Sequence, residues 1–161
     1  IKLCGLHTMD SCRIEKGYKH FGHDISNEDH ALEAGLGFVI KENKAPSKFG
    51  DMIGKEAIIK KKNEGLENIF LQFRLQDPDP LLYHNEPILR DGTIVGYLTS
   101  GNYGHYLKGA IGLGYIKCNQ VGENIEKILN SSYEIDVAGK RVKADVSLKP
   151  MYDHKSTKIK L

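Results

Sequence analysis

The feature that most constrains the fold is a run of alternating apolar and polar residues that begins at Asn68. Asp91-Gly92 lies between two apolar runs, a pattern typical of a β-hairpin. About six antiparallel strands in roughly a hundred residues must pair their own edges, so the pattern predicts a small barrel or sandwich. The predicted strands cover 69–75, 86–90, 93–100, 110–116 and a final hairpin over 133–148 with its turn at 138–140.

The residues before Asn68 have a different pattern. Residues 4–15 carry apolar or small side chains at Cys4, Met9, Cys12 and Ile14 and precede Gly17, which predicts a short amphipathic helix with a glycine stop. After it, the polar sequence FGHDISNED at 21–29 is typical of a loop.

An almost unbroken apolar run, LEAGLGFVI at 32–40, follows this loop and ends before Pro46. Its glycines and apolar side chains predict a strand buried on both faces, with a ligand or other backbone close to Gly35 and Gly37. A second helix is predicted over 54–63, with Lys60, Lys61 and Lys62 as its solvated face and a glycine stop at 65.

Length and charge limit the possible classes of protein. The 161 residues are 40% hydrophobic, enough for one domain or for one domain and a piece of another. The net charge of +2 is scattered, which predicts neither a nucleic-acid partner nor a membrane partner. The cysteines number three and are widely spaced, which predicts free thiols in a reducing compartment.

A domain boundary is predicted near 63–66, where the predicted helix ends and the alternation of apolar and polar residues is about to begin. A strand buried on both faces needs neighbouring strands, which 1–63 does not contain, so this part is expected to pack against something outside it. Because the chain opens with Ile1, we expect a piece of a longer polypeptide or a processed terminus.

Several motifs together resemble a known family. They read RIEKGYKHFGHDIS, LEAGLGF, FGDMIGKEAI and YHNEPILRDGTIVGYLTSGNYGHYLKGAIGLGYI. In this order they resemble the C-terminal end of the dimethylglycine and sarcosine dehydrogenases, which is similar to the aminomethyltransferase (T-protein) of the glycine cleavage system. The resemblance implies an α+β chain in which 1–63 is the C-terminal portion of a T-protein-like folate-binding domain. Residues 64–161 would be a Greek-key or jelly-roll-like antiparallel β-barrel.

The resemblance also implies a function for the parent protein. It would be an oxidoreductase that demethylates a methylated glycine with FAD and passes the one-carbon unit to tetrahydrofolate. The expected partners are the upstream folate-binding and FAD domains of the same polypeptide and a small-molecule substrate. The location would be the cytoplasm of a bacterium or the mitochondrial matrix of a eukaryote. Catalytic residues would lie upstream, so this segment alone is expected to be inactive.

Candidate ligand-binding residues are Arg13, Phe38 and Tyr103. Arg13 at a helix end can bind a carboxylate or a ring edge, or it can pair with Glu15, Glu33 or Asp24. The resemblance favours ligand contact, because the arginine of the R-x-E-x-G motif contacts ligand in the similar T-proteins.

Phe38 can stack on a flat heteroaromatic ring or can be ordinary core. The resemblance implies a folate-contacting Tyr or Trp at this position, and Phe keeps the ring without the polar group. Tyr103 can contribute to a pocket wall.

Other chemistries have weaker signals. His20, His23 and His30 have loose spacing and no flanking cysteine pair, so no metal site is predicted, and His23 with Asp24 is expected to fix the turn.

A nucleophilic triad could be built from Ser100, His105 and Asp91, but the sequence has no G-x-S-x-G nucleophile elbow. The run GAIGLGY at 109–115 lacks the spacing of a dinucleotide-binding motif. FAD is therefore expected outside this segment. Two alternatives remain: a free-standing aminomethyltransferase that receives its carbon from a lipoyl carrier, and a scaffold module without a ligand.

Overall fold

The computed structural model describes residues 1–40, 52–118 and 120–160. The elements in chain order are α1 (Leu6–Glu15), a 3-10 helix (Gly37–Val39), α2 (Lys55–Glu64), β1 (Asn68–Leu75), β2 (Pro87–Arg90), β3 (Thr93–Gly104), β4 (Gly109–Lys117), α3 (Ile125–Leu129), β5 (Tyr133–Val137) and β6 (Lys140–Ser147).

Within the described residues, six antiparallel strands close into a barrel in the order β1-β4-β3-β2-β5-β6. Strand β1 pairs with both β4 and β6, which closes the sheet. Consecutive strands β2, β3 and β4 lie side by side with β1 next to β4, which is a Greek-key arrangement. The predicted barrel is confirmed.

Two tight hairpins set the register of the barrel. Asp91 and Gly92 have φ angles of 50° and 82°, and Ala138 and Gly139 have φ angles of 52° and 86°. Positive φ at both central residues matches the right-handed twist of the flanking strands. Both hairpin turns therefore lie where the sequence predicts them.

Large apolar side chains fill the barrel, and a buried ion pair joins β2 to the segment before α3. Phe73 is fully buried and its ring packs edge-on against Tyr133, with the ring centroids 5.6 Å apart. The guanidinium of Arg90 donates to both carboxylate oxygens of Glu123 at 2.9 Å and to the Ser131 hydroxyl at 2.8 Å. This forked contact satisfies a charge that burial would otherwise penalise.

Helix α1 ends as predicted but packs through a different face. The N–H of Gly17 donates to Ile14 and the N–H of Tyr18 donates to Arg13, which is a Schellman ending with Gly17 at φ 68°.

The predicted apolar face of α1 is wrong at three of its four residues, since Cys4, Met9 and Cys12 are exposed and only Ile14 is buried. The helix instead packs on β3 and β4, and its buried residues are Ser11, Ile14 and Glu15.

The predicted strand over 32–40 is also wrong. The segment forms turns and the 3-10 helix, because its backbone N–H groups bond locally: Leu36 donates to Ala31 at 2.8 Å and Val39 to Leu36 at 3.1 Å. Gly35 has a φ of 69°, which breaks an extended run. The apolar run is therefore a compact turn, and the predicted strand end at Pro46 lies outside the described residues.

Helix α2 begins after Gly54 and ends before Gly65, as predicted, but one of its lysines is partly buried in an ion pair. The ammonium of Lys61 lies 3.1 Å from a carboxylate oxygen of Glu33, and its side chain is 21% exposed. Lys60 keeps the exposed position that the sequence predicts. Among the described residues, no helix is long and apolar enough to cross a membrane.

Candidate functional site

The R-x-E-x-G motif places Arg13 against a buried carboxylate. The Arg13 guanidinium donates to Asp24, to Asp10 at 2.9 Å and to the Ser100 hydroxyl at 2.9 Å. Asp24 is 1% exposed and also accepts from the Thr99 hydroxyl at 2.5 Å. Of the three acids that the sequence offers as structural partners for Arg13, the structure pairs it with Asp24.

The other two residues of the motif join α1 to the barrel. A carboxylate oxygen of Glu15 accepts from the backbone N–H groups of Tyr106 and Leu107, each at 2.8 Å. A side chain at Gly17 would lie 2.8 Å from Pro150, so this glycine allows the C-terminal segment to approach. The motif therefore holds the helix end, the β3–β4 turn and the C-terminal segment together.

Arg13 and Tyr103 line one cleft of about 400 Å³, which we call the histidine cleft. Its walls come from α1, the turn at 20–23, the connector at 81–84 and the far half of β3. The Tyr103 ring packs edge-on against His105 with centroids 5.3 Å apart. The imidazoles that line the cleft are His7, His20, His23 and His84.

Phe38 lies apart from Arg13 and Tyr103. It sits on the 3-10 helix, is 79% exposed, and lines a second cavity of about 710 Å³, which we call the lysine cavity. The two cavities have no described lining residue in common. The structure therefore brings two of the three candidate residues together and leaves the third on a separate wall.

The histidines of the 20–30 segment do not converge. The rings of His20 and His23 lie 4.7 Å apart, whereas a ring nitrogen of His30 accepts from the backbone of Leu32 at 3.2 Å. Within 1–40, 52–118 and 120–160, no group of three or more His, Cys, Asp or Glu side chains is placed to hold a metal ion. The buried carboxylate of Asp24 accepts from the His20 N–H at 2.8 Å and so fixes the turn, while His23 is exposed.

The residues considered for a nucleophilic triad have separate partners. Asp91 lies in the β2–β3 turn, where its carboxylate accepts from the Ser132 N–H at 3.0 Å. Ser100 lies far along β3 and accepts from Arg13. The arrangement provides no relay from Asp91 to Ser100.

Sequence reasoning missed two buried polar residues that join the parts of the chain. The amide of Gln72, inside β1, donates to the Ile14 carbonyl at 2.6 Å and accepts from the Met151 N–H at 2.6 Å. The only signal for it in the sequence is a glutamine in the middle of the largely apolar stretch IFLQF.

Glu33 is the second such residue. One of its carboxylate oxygens accepts from the N–H groups of Glu67 at 2.9 Å and Asn68 at 3.2 Å. Burial acts to raise the pKa of Glu33, but these hydrogen bonds and Lys61 outweigh it and hold that pKa below its ordinary value.

Comparison with protein families matches two parts of the chain. Residues 69–153 match the glycine cleavage T-protein C-terminal barrel domain, and residues 1–44 match the GCVT N-terminal domain. Among solved structures, the aminomethyltransferase T of the glycine cleavage system from Bartonella henselae superposes with a TM-score of 0.73 at 20% identity. The match covers 90% of this chain and 38% of that one. At this identity the likeness shows the fold.

Curated relatives include both oxidases and transferases. The chain is 35% identical over 99% of its length to a 4-methylaminobutanoate oxidase (formaldehyde-forming) of Paenarthrobacter nicotinovorans. It is 31% identical over 97% to the human mitochondrial sarcosine dehydrogenase and 37% identical over 79% to an aminomethyltransferase of Halothermothrix orenii.

The chain covers only part of each relative: 18% of the oxidase, 17% of the dehydrogenase and 34% of the transferase. The barrel, the motif order and these matches agree with the resemblance seen in the sequence. The chain belongs to the glycine cleavage T-protein family and carries its C-terminal barrel domain.

Proposed function

We propose that this chain is the C-terminal part of a flavin-dependent oxidoreductase that removes a methyl group from a small methylated amine, such as sarcosine or dimethylglycine. In this proposal it helps to bind the tetrahydrofolate that captures the released one-carbon unit. Residues 1–63 are the end of a folate-binding domain, and 64–161 form the barrel that closes over it. The flavin and the catalytic residues belong to other parts of the parent protein.

The extent of the matches supports an oxidoreductase. The 4-methylaminobutanoate oxidase and the sarcosine dehydrogenase match 99% and 97% of the chain. The second candidate is a free-standing aminomethyltransferase, which is favoured by the 37% identity to the Halothermothrix orenii protein.

The observation that carries folate binding is the exposure of Phe38. A phenylalanine ring is normally buried on folding, yet this one is 79% exposed on a short, hydrogen-bonded turn. A flat pterin or benzoyl ring can stack on it and remove it from water, which contributes about 0.5–1.5 kcal/mol beyond burial. Placing folate beside the reactive carbon lets it capture the one-carbon unit before water does.

Arg13 and Tyr103 have a different part in this proposal. Arg13 is held by Asp24 and Ser100, so its guanidinium is fixed in place before a ligand arrives. A fixed guanidinium loses little freedom when it meets a carboxylate or a ring carbonyl. Tyr103 supplies the neighbouring wall of the histidine cleft.

The proposal is tested by replacing Phe38 with alanine in the full-length polypeptide. We expect Phe38→Ala to weaken tetrahydrofolate binding about tenfold, because stacking and burial of the ring are lost. Reduction of the flavin by the amine, followed by its visible absorption, should not change. Phe21→Ala is the matched control, since Phe21 is also exposed, at 70%, and does not line the lysine cavity. Equal loss of both activities in Phe38→Ala, or unchanged folate binding, would contradict the role of Phe38.

A further inference from the structure

Residues 148–160, which we call the clasp, follow β6 and consist of turns and bends. Among the residues that the structure describes, both buried apolar clusters form without any contribution from the clasp. Polar groups and aromatic rings therefore hold this segment in place. A segment that buries so few apolar contacts separates from the rest of a protein more readily than a core strand does.

Two contacts attach the clasp to the barrel. The N–H of Met151 donates to the side-chain carbonyl of Gln72 on β1 at 2.6 Å, and the amide of Gln72 donates to the carbonyl of Ile14 in α1. The ring of Tyr152 packs edge-on against Tyr106 in the β3–β4 turn, with the ring centroids 4.4 Å apart. The clasp and α1 therefore meet at the same side chain of β1.

An ion pair attaches the clasp to the end of α1. The ammonium of Lys16 donates to the backbone carbonyl of Asp153 and lies 3.3 Å from its carboxylate. These side chains are 14% and 6% exposed, and salt screens a pair shielded from water less than an exposed one. Beside this pair, a Cβ added at Gly17 would lie 2.8 Å from Pro150. The clasp is thus in direct contact with the last turn of the helix.

The carboxylate of Asp153 also sets the shape of the clasp. It accepts from the N–H of Thr157 at 2.8 Å and from the Thr157 hydroxyl at 2.7 Å. Asp153 and Ser156 have φ angles of 41° and 51°, in a region that side chains other than glycine seldom adopt. The Thr157 hydrogen bonds, with a smaller contribution from Lys16, hold the pKa of Asp153 well below its ordinary value. One charged carboxylate therefore closes the turn and joins it to α1.

The clasp forms one wall of the lysine cavity. The lining residues that it contributes are Leu148, Lys149, Pro150, His154 and Ser156. Other walls come from the turn at 16–19, the 3-10 helix and β1, where the buried ring of Phe70 lies beneath the ammonium of Lys19. Separation of the clasp from α1 and β1 would remove this wall and let water reach Phe70.

We infer that the clasp is a detachable strap that joins α1 to the barrel and closes one side of the lysine cavity, and that it opens as a unit while the barrel stays folded. The barrel core consists of residues 69–144, so it loses no buried apolar contact when the clasp separates. Loss of the Asp153 contacts would release α1 and the turn at 153–157 together, which makes the opening cooperative. This inference goes beyond the proposed function and is independent of which ligand the parent protein binds.

The experiment measures amide hydrogen exchange in the full-length polypeptide and in two variants, Lys16→Gln and Asp153→Asn. The Met151 N–H reports on the clasp, and the N–H groups of 110–116 in β4 report on the barrel. Asp77→Asn is the matched control, because the Asp77 carboxylate also lies 3.3 Å from a lysine ammonium but belongs to a pair outside the clasp. Lys16→Gln decides the outcome if Asp153→Asn does not fold.

We expect exchange at Met151 to become about tenfold faster in both variants, the usual effect of losing one charge-assisted contact. Exchange in β4 should not change, and Asp77→Asn should match the unmodified polypeptide. Oxidation of side chains by hydroxyl radicals, read by mass spectrometry, gives the second measurement. Oxidation of Phe70 should rise in both variants, whereas Phe73, which is fully buried inside the barrel, should stay protected.

Three results would overturn the inference. Unchanged exchange at Met151 in Lys16→Gln would mean that the ion pair does not hold the clasp. Equal acceleration at Met151 and in β4 would mean that the clasp opens only when the barrel unfolds. Faster exchange at Met151 without added oxidation of Phe70 would mean that the clasp does not close the lysine cavity. Because neither measurement uses a ligand, a failure of folate binding in the parent protein would leave the result unaffected.

Discussion

Buried acids decide the local geometry at the residue scale. Asp24 joins Arg13, the turn at 20–24 and the hydroxyl of Thr99 on β3. Glu33 does the same for α2 and the start of β1. Both carboxylates are almost completely buried and fully hydrogen-bonded, which is the condition under which a buried charge is tolerated. The effect of Glu33 on stability should therefore depend on pH, because its pKa in the folded chain is lowered, against the effect of burial, by these hydrogen bonds.

Glu33→Gln tests this dependence. The pKa of Glu33 in the folded chain lies below the ordinary value of 4.5, so its charged form stabilises the fold above that pH and the contribution is lost as pH falls. We expect the variant to be about 1 kcal/mol less stable at pH 7, and the difference to shrink below about pH 4. Urea unfolding at several pH values measures it. Glu67→Gln, on a side chain that is 62% exposed, should show little change. A pH-independent difference would mean that the Glu33 charge has no part in stability.

At the scale of elements, the hairpins were predictable and the segment 32–40 was not. A hairpin turn depends on two adjacent residues, and Asp91-Gly92 is enough to indicate it. Whether LEAGLGFVI forms a strand depends on a neighbouring strand to pair with, which an apolar run does not reveal. The face of α1 was also hidden, because it packs through the polar side chains of Ser11 and Glu15. Their hydrogen bonds to the β3–β4 hairpin leave no trace in apolar spacing.

The same limit applies to the candidate site. The sequence indicated Arg13 and Tyr103, which both line the histidine cleft. It did not indicate that Phe38 lines a different cavity, the lysine cavity. Contacts between residues distant in sequence are what the pattern could not show.

The end of α1 provides a test of an element boundary. Gly17 has a φ of 68°, and an added Cβ would lie 2.8 Å from Pro150. Gly22 has a φ of 93° but no atom within 4 Å of such a Cβ. We expect Gly22→Ala to cost about 1 kcal/mol from backbone strain, and Gly17→Ala to cost about 2–3 kcal/mol, because the C-terminal segment must also move. Chemical denaturation of both variants measures the difference, and equal costs would mean that the Pro150 contact does not matter.

At the scale of the whole molecule, the barrel has its own core, whereas the described residues of the first part form none of their own. The main buried cluster comes entirely from residues 69–144. Among the described residues of 1–63, the buried apolar residues are Ile14 and Ala34, and Ile14 packs with Phe70 on β1 and Ile111 and Leu113 on β4. We therefore expect residues 1–63 to depend on contacts with the rest of the polypeptide for their stability.

Expressing the two parts separately tests this dependence. We expect 64–161 to melt cooperatively, because the closed barrel buries its own apolar side chains, and 1–63 to show no cooperative transition. Circular dichroism with heating measures both. A sharp melt of 1–63 alone would contradict the boundary near residues 63–66.

The most direct test of the central claim is titration of the full-length polypeptide with tetrahydrofolate while its visible absorption is recorded. The claim predicts a flavin absorption band that is bleached by a methylated amine, together with saturable tetrahydrofolate binding. Tetrahydrofolate binding without a flavin band would instead support the aminomethyltransferase. A polypeptide that shows neither a flavin band nor tetrahydrofolate binding would contradict the claim.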